Sequence, residues 1–488
     1  MAIISRLQRS RDSAYTMSSV LANVCSQCRE PGGPDKPLKA CASCKAVYYC
    51  GKECQKKQWK AHKPFCREWT GTDFHIKATE AILRLRKAFE DTDAVPVDPW
   101  VRADDPKEII LTSLPARFWD ESLNDPDGVV ECAIPAWMKE PICRQPGFPH
   151  PVPSSASPAH ELVDIPGSGI GMRATRPITA GDIIYAERPL AILPVKWIST
   201  NVPPNGEFAT YEEWYQYAMI EREELLKVVL ARMAPENQAA YRALANSHKC
   251  DGSSPLSGVL CTNSYALGMD PWFDIVPDIA ERDEYQTTLC GVCEELSRIN
   301  HSCGPNAKVS FHMPSFSFVL TAVRDIPVGG EITVSYCKLT VPTSERQKYL
   351  APYGFTCTCK ACSSPNISDT RRATIAASRQ DPEDAIRAWL SNKKLAKDHL
   401  IKDSLQMMQL LEDEGLEVNW RYKGHAAVLA MVCAATGQRK NYLQARKKVM
   451  ALSMACVPGK GCWLMELLPE VPEHQEFWMK RLHARMLL

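Results

Sequence analysis

"LSRINHSCGPNA", Leu296 to Ala307, places an Asn-His pair two residues from a Cys and closes on a Pro-Asn. Taken alone, the stretch suits either a metal corner or a Cys nucleophile with a His base. The residues of the stretch do not separate these chemistries, so the other cysteines must. The chain of 488 residues holds 21 Cys. Its N-terminus, "MAIISRLQRSRDSAYTMSS", has no apolar core of the signal-peptide kind. Early Arg and Ser residues faintly suggest an organelle transit peptide, but Asp12 counts against it. A tail without structure over 1–24 is the plainer expectation. So many cysteines without a secretion signal imply a reducing compartment, where clustered thiols usually hold metal.

Composition narrows the classes. Hydrophobic residues at 45% and charged residues at 24% describe an ordinary globular chain, long enough for roughly two to four domains. A net charge of +1 gives no argument for strong nucleic-acid binding. No apolar run approaches the roughly 18 residues needed to span a bilayer.

The densest cysteine cluster runs "CSQCREPGGPDKPLKACASCKAVYYCGKECQKKQWKAHKPFC". Its candidate ligands are Cys25, Cys28, Cys41, Cys44, Cys50, Cys54, His62 and Cys66. Eight soft donors complete two tetrahedral zinc sites with none left over. Filled sites leave no position for water, so these zincs are expected to be structural and to supply much of the folding energy of a coreless segment. A second set, "CTCKAC", offers Cys357, Cys359 and Cys362 and needs a fourth ligand, for which Cys303 is a candidate at a distance. Cys132, Cys290, Cys293 and Cys433 read as small buried residues, and Cys337 as core packing.

Along the chain, "KATEAILRLRKAFE" patterns as an amphipathic helix, and Pro density then rises to "PGFPHPVPSSASPAH", expected as linker or loop. From Glu161 the grammar is strand-like. "GDIIYAERPLAILP", "SFSFVLTAV" and "EITVSY" predict strands, with a helical insert at about 195–260. Beyond Ser363 the pattern is helical, with a helix pair around Gly437.

The finger order Cys-x2-Cys, Cys-x2-Cys, Cys-x3-Cys, His-x3-Cys, with Tyr48-Tyr49-Cys50, Trp59 and Lys63, resembles a MYND finger. "GIGMRAT", "RINHSCGPNA", "GGEITVSY" and "CTCKAC" together resemble a SET-domain protein methyltransferase with a post-SET zinc segment. The combination is similar to the SMYD group, particularly fungal MYND–SET proteins. The resemblance implies an α+β multidomain protein. Its expected parts are a zinc-bound finger over 25–66, a helix and Pro-rich linker over 67–160, and a β-rich SET domain over 161–356. A post-SET zinc segment over 357–365 and a helical region over 366–488 complete it.

The resemblance also implies roles. Cys25, Cys28, Cys50 and Cys54 would hold one zinc, and Cys41, Cys44, His62 and Cys66 another. Cys303, Cys357, Cys359 and Cys362 would hold a third. Gly169, Ile170, Gly171, Asn263, Asn300, His301, Tyr336 and Phe355 would contact S-adenosylmethionine, with Tyr336 and Tyr353 forming the catalytic lysine channel. The implied activity is protein-lysine N-methylation, with histone tails the leading substrate and the finger taking Pro-containing partner motifs. A monomer in nucleus and cytoplasm is expected. The alternative is a scaffold that has lost activity; intact Asn300-His301, Tyr336 and glycines argue against it. A cysteine hydrolase using Cys303 and His301 lacks any further activating group. Two features depart from the family. Gly330 stands where Glu is common, leaving Glu331. The finger precedes the SET region instead of interrupting it, so its placement is not transferable.

Overall fold

The computed structural model describes residues 25–28, 30, 32–33, 36–43, 48–63, 66, 109–115, 127–154, 157–195, 211–268, 270–272, 275–276, 288–378, 381–396, 398–454 and 467–482. The expected tail, the helix of "KATEAILRLRKAFE" and Cys44 lie outside these residues.

The finger is a strand pair, β1 (Lys39–Ala40) and β2 (Tyr48–Tyr49), followed by helix α1 (Lys52–His62). Among the described residues its core is Cys25, Leu38, Cys41 and Tyr49.

The main body is built on a five-stranded sheet. Its strands are β3 (Ile109–Leu114), β4 (Val130–Pro135), β8 (Ala191–Pro194), β10 (Leu289–Val292) and β9 (Ser264–Ala266), in that order. This corrects the linker expected over 67–160, since β3 and β4 pair with each other and β4 pairs in parallel with β8. The misreading has a physical cause. All six residues of β4 are buried, and a strand covered on both faces shows no polar alternation. Cys132 and Ile134 point into the main core, while Ala133 points into a second one. Helix α2 (Ala136–Cys143) continues directly from β4.

The insert supplies that second core. Helices α3 (Tyr211–Arg232), α4 (Pro235–Arg242) and α5 (Pro255–Asn263) lay Leu226, Val229, Leu230, Tyr241 and Leu260 over Leu193, Cys290 and Val292. Arg232 fastens this layer to the sheet through buried Glu131, at 2.7 Å.

Two smaller sheets complete the body. One orders β11 (Asn300–His301), β14 (Glu331–Val334), β6 (Gly169–Ala174) and β5 (His160–Ile165). The other orders β12 (Ala307–His312), β13 (Ser317–Ala322) and β7 (Ile183–Glu187). Phe311, Phe316 and Phe318, from the β12–β13 hairpin, stack edge to face within the main core. Two short helices follow, α6 (Thr343–Leu350) and α7 (Lys360–Ser363). The C-terminal region is helical as read, with α8 (Pro365–Ala377), α9 (Pro382–Ser391), α10 (His399–Asp413), α11 (Trp420–Ala435) and α12 (Arg439–Met454). Helix α11 is buried on nearly every side because Ala and Gly dominate it, and it packs with Trp389, Leu411 and Tyr442.

The finger rests on the insert. Leu38 N donates to Cys250 O at 2.9 Å. Gly252, at φ 86°, lies under Tyr48, and a Cβ there would fall 2.4 Å from Tyr48 Cε1. Gly252→Ala is therefore expected to destabilise the zinc-loaded protein by roughly 1–3 kcal/mol, measured by denaturant unfolding. Gly33→Ala, where a Cβ meets nothing within 4 Å, is the matched control and should stay within about 0.5 kcal/mol of the parent.

Candidate functional site

Four groups of soft donors form among the described residues, the last of them, His301, Cys303 and Cys337, sharing Cys303 with a larger one. Cys25, Cys28, Cys50 and Cys54 place their sulfurs within 4.8 Å of one another, as do Cys303, Cys357, Cys359 and Cys362. Cys41, His62 and Cys66 form the third group; Cys44 lies outside the described residues. Zinc–sulfur bonds of about 2.3 Å set the sulfurs of a tetrahedron about 3.8 Å apart. Cys28 to Cys50 is 3.6 Å, Cys41 to Cys66 is 3.6 Å, Cys303 to Cys357 is 3.9 Å and Cys303 to Cys362 is 3.6 Å. These spacings fit zinc and are far longer than a disulfide.

The local chain explains the distant fourth donor. Gln347 on α6 grips the Cys357 backbone twice, accepting from its N–H at 3.0 Å and donating to its carbonyl at 2.8 Å. Cys359 caps α7, whose first turn carries Cys362. Buried Arg346 donates toward Cys362 Sγ at 3.8 Å, bringing positive charge to a cluster that must hold thiolates.

Cys303 lies two residues past a short strand with a specific neighbourhood. β11 runs parallel to β14, pairing Asn300 with Thr333 and His301 with Val334. Asn300 Nδ2 donates to Glu331 Oε1 at 3.0 Å. Glu331, the one acid left beside Gly330, therefore orients the Asn300 amide. A Cβ on Gly171 would lie 2.6 Å from both Asn300 Nδ2 and Ile165 Cγ1, so β6 must be glycine where it passes Asn300. Gly169, at φ 71°, has nothing within 4 Å of its Cβ position, and Ile170 is half exposed. The start of β6 is thus an open ledge beside a fixed amide.

His301 is held from both nitrogens. Tyr336 N donates to Nδ1 at 2.9 Å, and Nε2 lies 3.3 Å from Cys303 Sγ. With Nδ1 accepting, Nε2 carries the proton toward the sulfur, as in ligand-supporting hydrogen bonds of metal sites. The imidazole is therefore committed, leaving its ring face and backbone to any ligand.

Aromatic rings gather around it. Tyr336 lies 4.7 Å from Tyr353 and 5.3 Å from His301, centroid to centroid. Phe355, partly exposed, lies 6.2 Å from His301. The Tyr336 hydroxyl donates a short hydrogen bond to Ile299 O. Burial, with Tyr353 and Glu331 nearby, pushes that hydroxyl well above the usual phenol range, so it acts as a neutral donor. Such a trio can disfavour an ammonium and stack on a planar or cationic ligand.

The structure thus brings together Gly171, Asn300, His301, Tyr336, Tyr353 and Phe355. Asn263 behaves differently. Its amide is buried, and Nδ2 donates to Ala245 O and Val259 O, both at 2.7 Å. Both amide hydrogens are spent closing α5, leaving only its Oδ1 to offer. Cys337 is buried in a small core with Leu350 and Ala361, as expected. It lies past the end of β14, beside His301 and Cys303. Cys132, Cys290 and Cys293 are fully buried, and burial pushes the Cys290 thiol up to about 12, as inert packing requires.

Some contributors carry no sequence motif. Tyr265, on β9, donates to Leu296 O at 2.7 Å. Glu187 on β7 accepts from the backbone N–H groups of Glu294, Glu295 and Leu296, and burial pushes its carboxyl up to about 7. Both hold the turn that leads into Asn300. A strand-like "AERPL" gives no signal that its Glu caps a distant turn.

Comparison with known proteins agrees with this geometry. Residues 169–337 match the SET domain and residues 25–66 match the MYND finger. The histone-lysine N-methyltransferase set5 of Schizosaccharomyces pombe is 28% identical over 267 residues, covering 52% of this chain and 70% of that protein. The human histone-lysine N-methyltransferase SMYD3 is 39% identical over 107 residues, covering 20% of this chain and 24% of that protein. The mouse protein-lysine N-trimethyltransferase SMYD5 is 36% identical over 94 residues, covering 18% of this chain and 23% of that protein. No helix among the described residues is long and apolar enough to cross a membrane. The chain therefore carries a MYND finger and a SET domain and is similar to protein-lysine methyltransferases; the SET domain implies use of S-adenosylmethionine and the MYND finger implies zinc.

Proposed function

We propose that the chain methylates lysines of histone tails, using the ledge at Gly169–Gly171, the strand Asn300–His301 and the rings of Tyr336, Tyr353 and Phe355. The observation that carries this reading is the lock between Gly171, Asn300 and Glu331, which fixes one polar amide beside an open glycine edge. The relatives set5 and SMYD3 are named for histone lysine, and SMYD5 for protein lysine. S-adenosylmethionine supplies an electrophilic methyl group on a sulfonium.

The residues' part is positioning and desolvation. A free lysine has pKa about 10.4, so presenting its neutral amine at pH 7 costs about 4.6 kcal/mol. An aromatic channel of Tyr336 and Tyr353 lowers that cost by disfavouring the ammonium. The Tyr336 hydroxyl, kept neutral by burial, orients the amine for in-line attack, and alignment supplies several kcal/mol more. Asn300 and the His301 backbone would hold the nucleoside end of the cofactor, with Phe355 stacked on it. In this reading the finger recruits partner proteins through Pro-containing segments, three zincs are bound, and a monomer works in nucleus and cytoplasm.

Incubation with labelled S-adenosylmethionine and histones should transfer label to lysine, and Tyr336→Phe should cut the rate at least about 10-fold. Cofactor binding without transfer to any histone or other protein lysine would instead support a scaffold. Gly171→Ala should weaken S-adenosylhomocysteine binding about 10-fold or more by displacing Asn300; binding equal to the parent's would remove Asn300 from the pocket. Metal analysis should return three zincs per chain, and chelation should unfold the finger. Unchanged finger structure after verified metal loss would contradict a structural role for its zinc.

A further inference from the structure

The C-terminal helices reach the signature strand directly. Gly415, just past α10 and at φ 67°, brings the chain against Gly304. A Cβ on Gly415 would lie 3.0 Å from Gly304 Cα, and one on Gly304 would lie 3.1 Å from Glu414 O. Two glycines facing each other allow backbone to touch backbone.

Two arginines then grip the carbonyls that follow the Asn-His pair. Arg372, buried on α8, donates through Nη2 to Cys303 O at 2.9 Å and through Nη1 to Leu339 O at 2.5 Å. Its Nε meets Glu414 Oε2 at 3.0 Å. Arg324, just past β13, donates through Nη2 to Gly304 O at 2.5 Å and through Nη1 to Glu417 Oε2 at 2.8 Å. Consecutive carbonyls, Cys303 and Gly304, are thus each held by an arginine whose carboxylate partner lies on the turn after α10. The helical region closes its own core with apolar residues such as Trp389, Leu411 and Met431. These ion pairs instead face the loop that carries Asn300 and His301.

We propose that Arg372–Glu414 and Arg324–Glu417 are positioning pairs for methyl-donor binding, coupling the C-terminal helical region energetically to the Asn300–Gly304 loop. The inference rests on reading that loop as part of the S-adenosylmethionine pocket. A loop with both carbonyls fixed presents Asn300 and the His301 backbone in one geometry, so less ordering remains to be done on binding. Coupling between sites is reciprocal: if the clamp favours the cofactor, the cofactor must tighten the clamp. A merely structural ion pair has no such second half.

The test uses the full-length, zinc-loaded protein with S-adenosylhomocysteine as probe. Arg324→Gln and Glu417→Gln are the first variants because Arg324 is partly exposed, with side-chain exposure of 32%, and its loss is expected to spare the fold. Each should weaken the probe about 5-fold or more by calorimetry, with zinc content and melting transition retained. The double variant should be little worse than either single one, and Arg324→Lys should recover part of the affinity. In the parent, the probe should slow amide hydrogen exchange both at 300–307 and at 412–417; Arg324→Gln should lose only the second effect. Parent-like affinity in both Gln variants, with protection confined to 300–307, would overturn the proposal. A zinc-loaded parent that binds no probe would overturn the pocket reading, and the clamp with it.

Discussion

Seven residues, Asn300 to Asn306, are held from every direction, and the rest of the site depends on that restraint. Asn300 is fixed by Glu331 and crowded by Gly171. His301 is strung between the Tyr336 backbone and the Cys303 sulfur. Cys303 meets three thiols from more than fifty residues downstream, with Cys357 at a separation of 54. Asn306 closes the segment on β14, accepting from Thr333 N at 2.8 Å and donating to Glu331 O at 2.8 Å. One short strand therefore links an open glycine ledge, an aromatic cluster and a metal centre. None of these can shift alone.

The four-thiol centre gives that restraint its reach. Tyr353 and Phe355 precede Cys357 on a chain that has little apolar anchoring of its own, since Phe355 is partly exposed. Gln347 fixes Cys357, and a metal held by the four thiols would fix it further, and with it the two rings. Metal binding there would also be folding energy for the wall of the pocket. The same argument applies to the finger, whose core among the described residues is Cys25, Leu38, Cys41 and Tyr49, small enough that bound zinc would add much of its stability. It gains a further purchase by seating Tyr48 over Gly252 of the insert.

Much of this was legible in the residues. Cysteine spacing names donors because a tetrahedral ion accepts few arrangements, and the distant Cys303 was recoverable by counting ligands. The strands of "GDIIYAERPLAILP" and "EITVSY" showed through their β-branched content. What stayed hidden shares one cause: contacts between segments far apart in sequence leave no local period. β3 and β4 lay in a Pro-dense region, and the two covered faces of β4 erased the alternation that marks a strand. Glu187, Arg346 and Arg372 resemble surface charges in sequence, yet each is turned inward to satisfy backbone or sulfur. Asn263 sits in a recognisable motif, whereas the partners of its Nδ2, Ala245 O and Val259 O, lie outside that motif. Cys337 packs in a core as read, although it lies past the end of β14 at Val334 and not on a strand face.

The most direct test of the central claim is a crystal structure of the zinc-loaded protein with S-adenosylhomocysteine. The nucleoside is predicted to lie between the Gly169–Gly171 ledge and Phe355, touching Asn300 and the His301 backbone, with its sulfur aimed toward Tyr336. A ligand bound elsewhere, or bound there with Asn300 released from Glu331, would contradict the account.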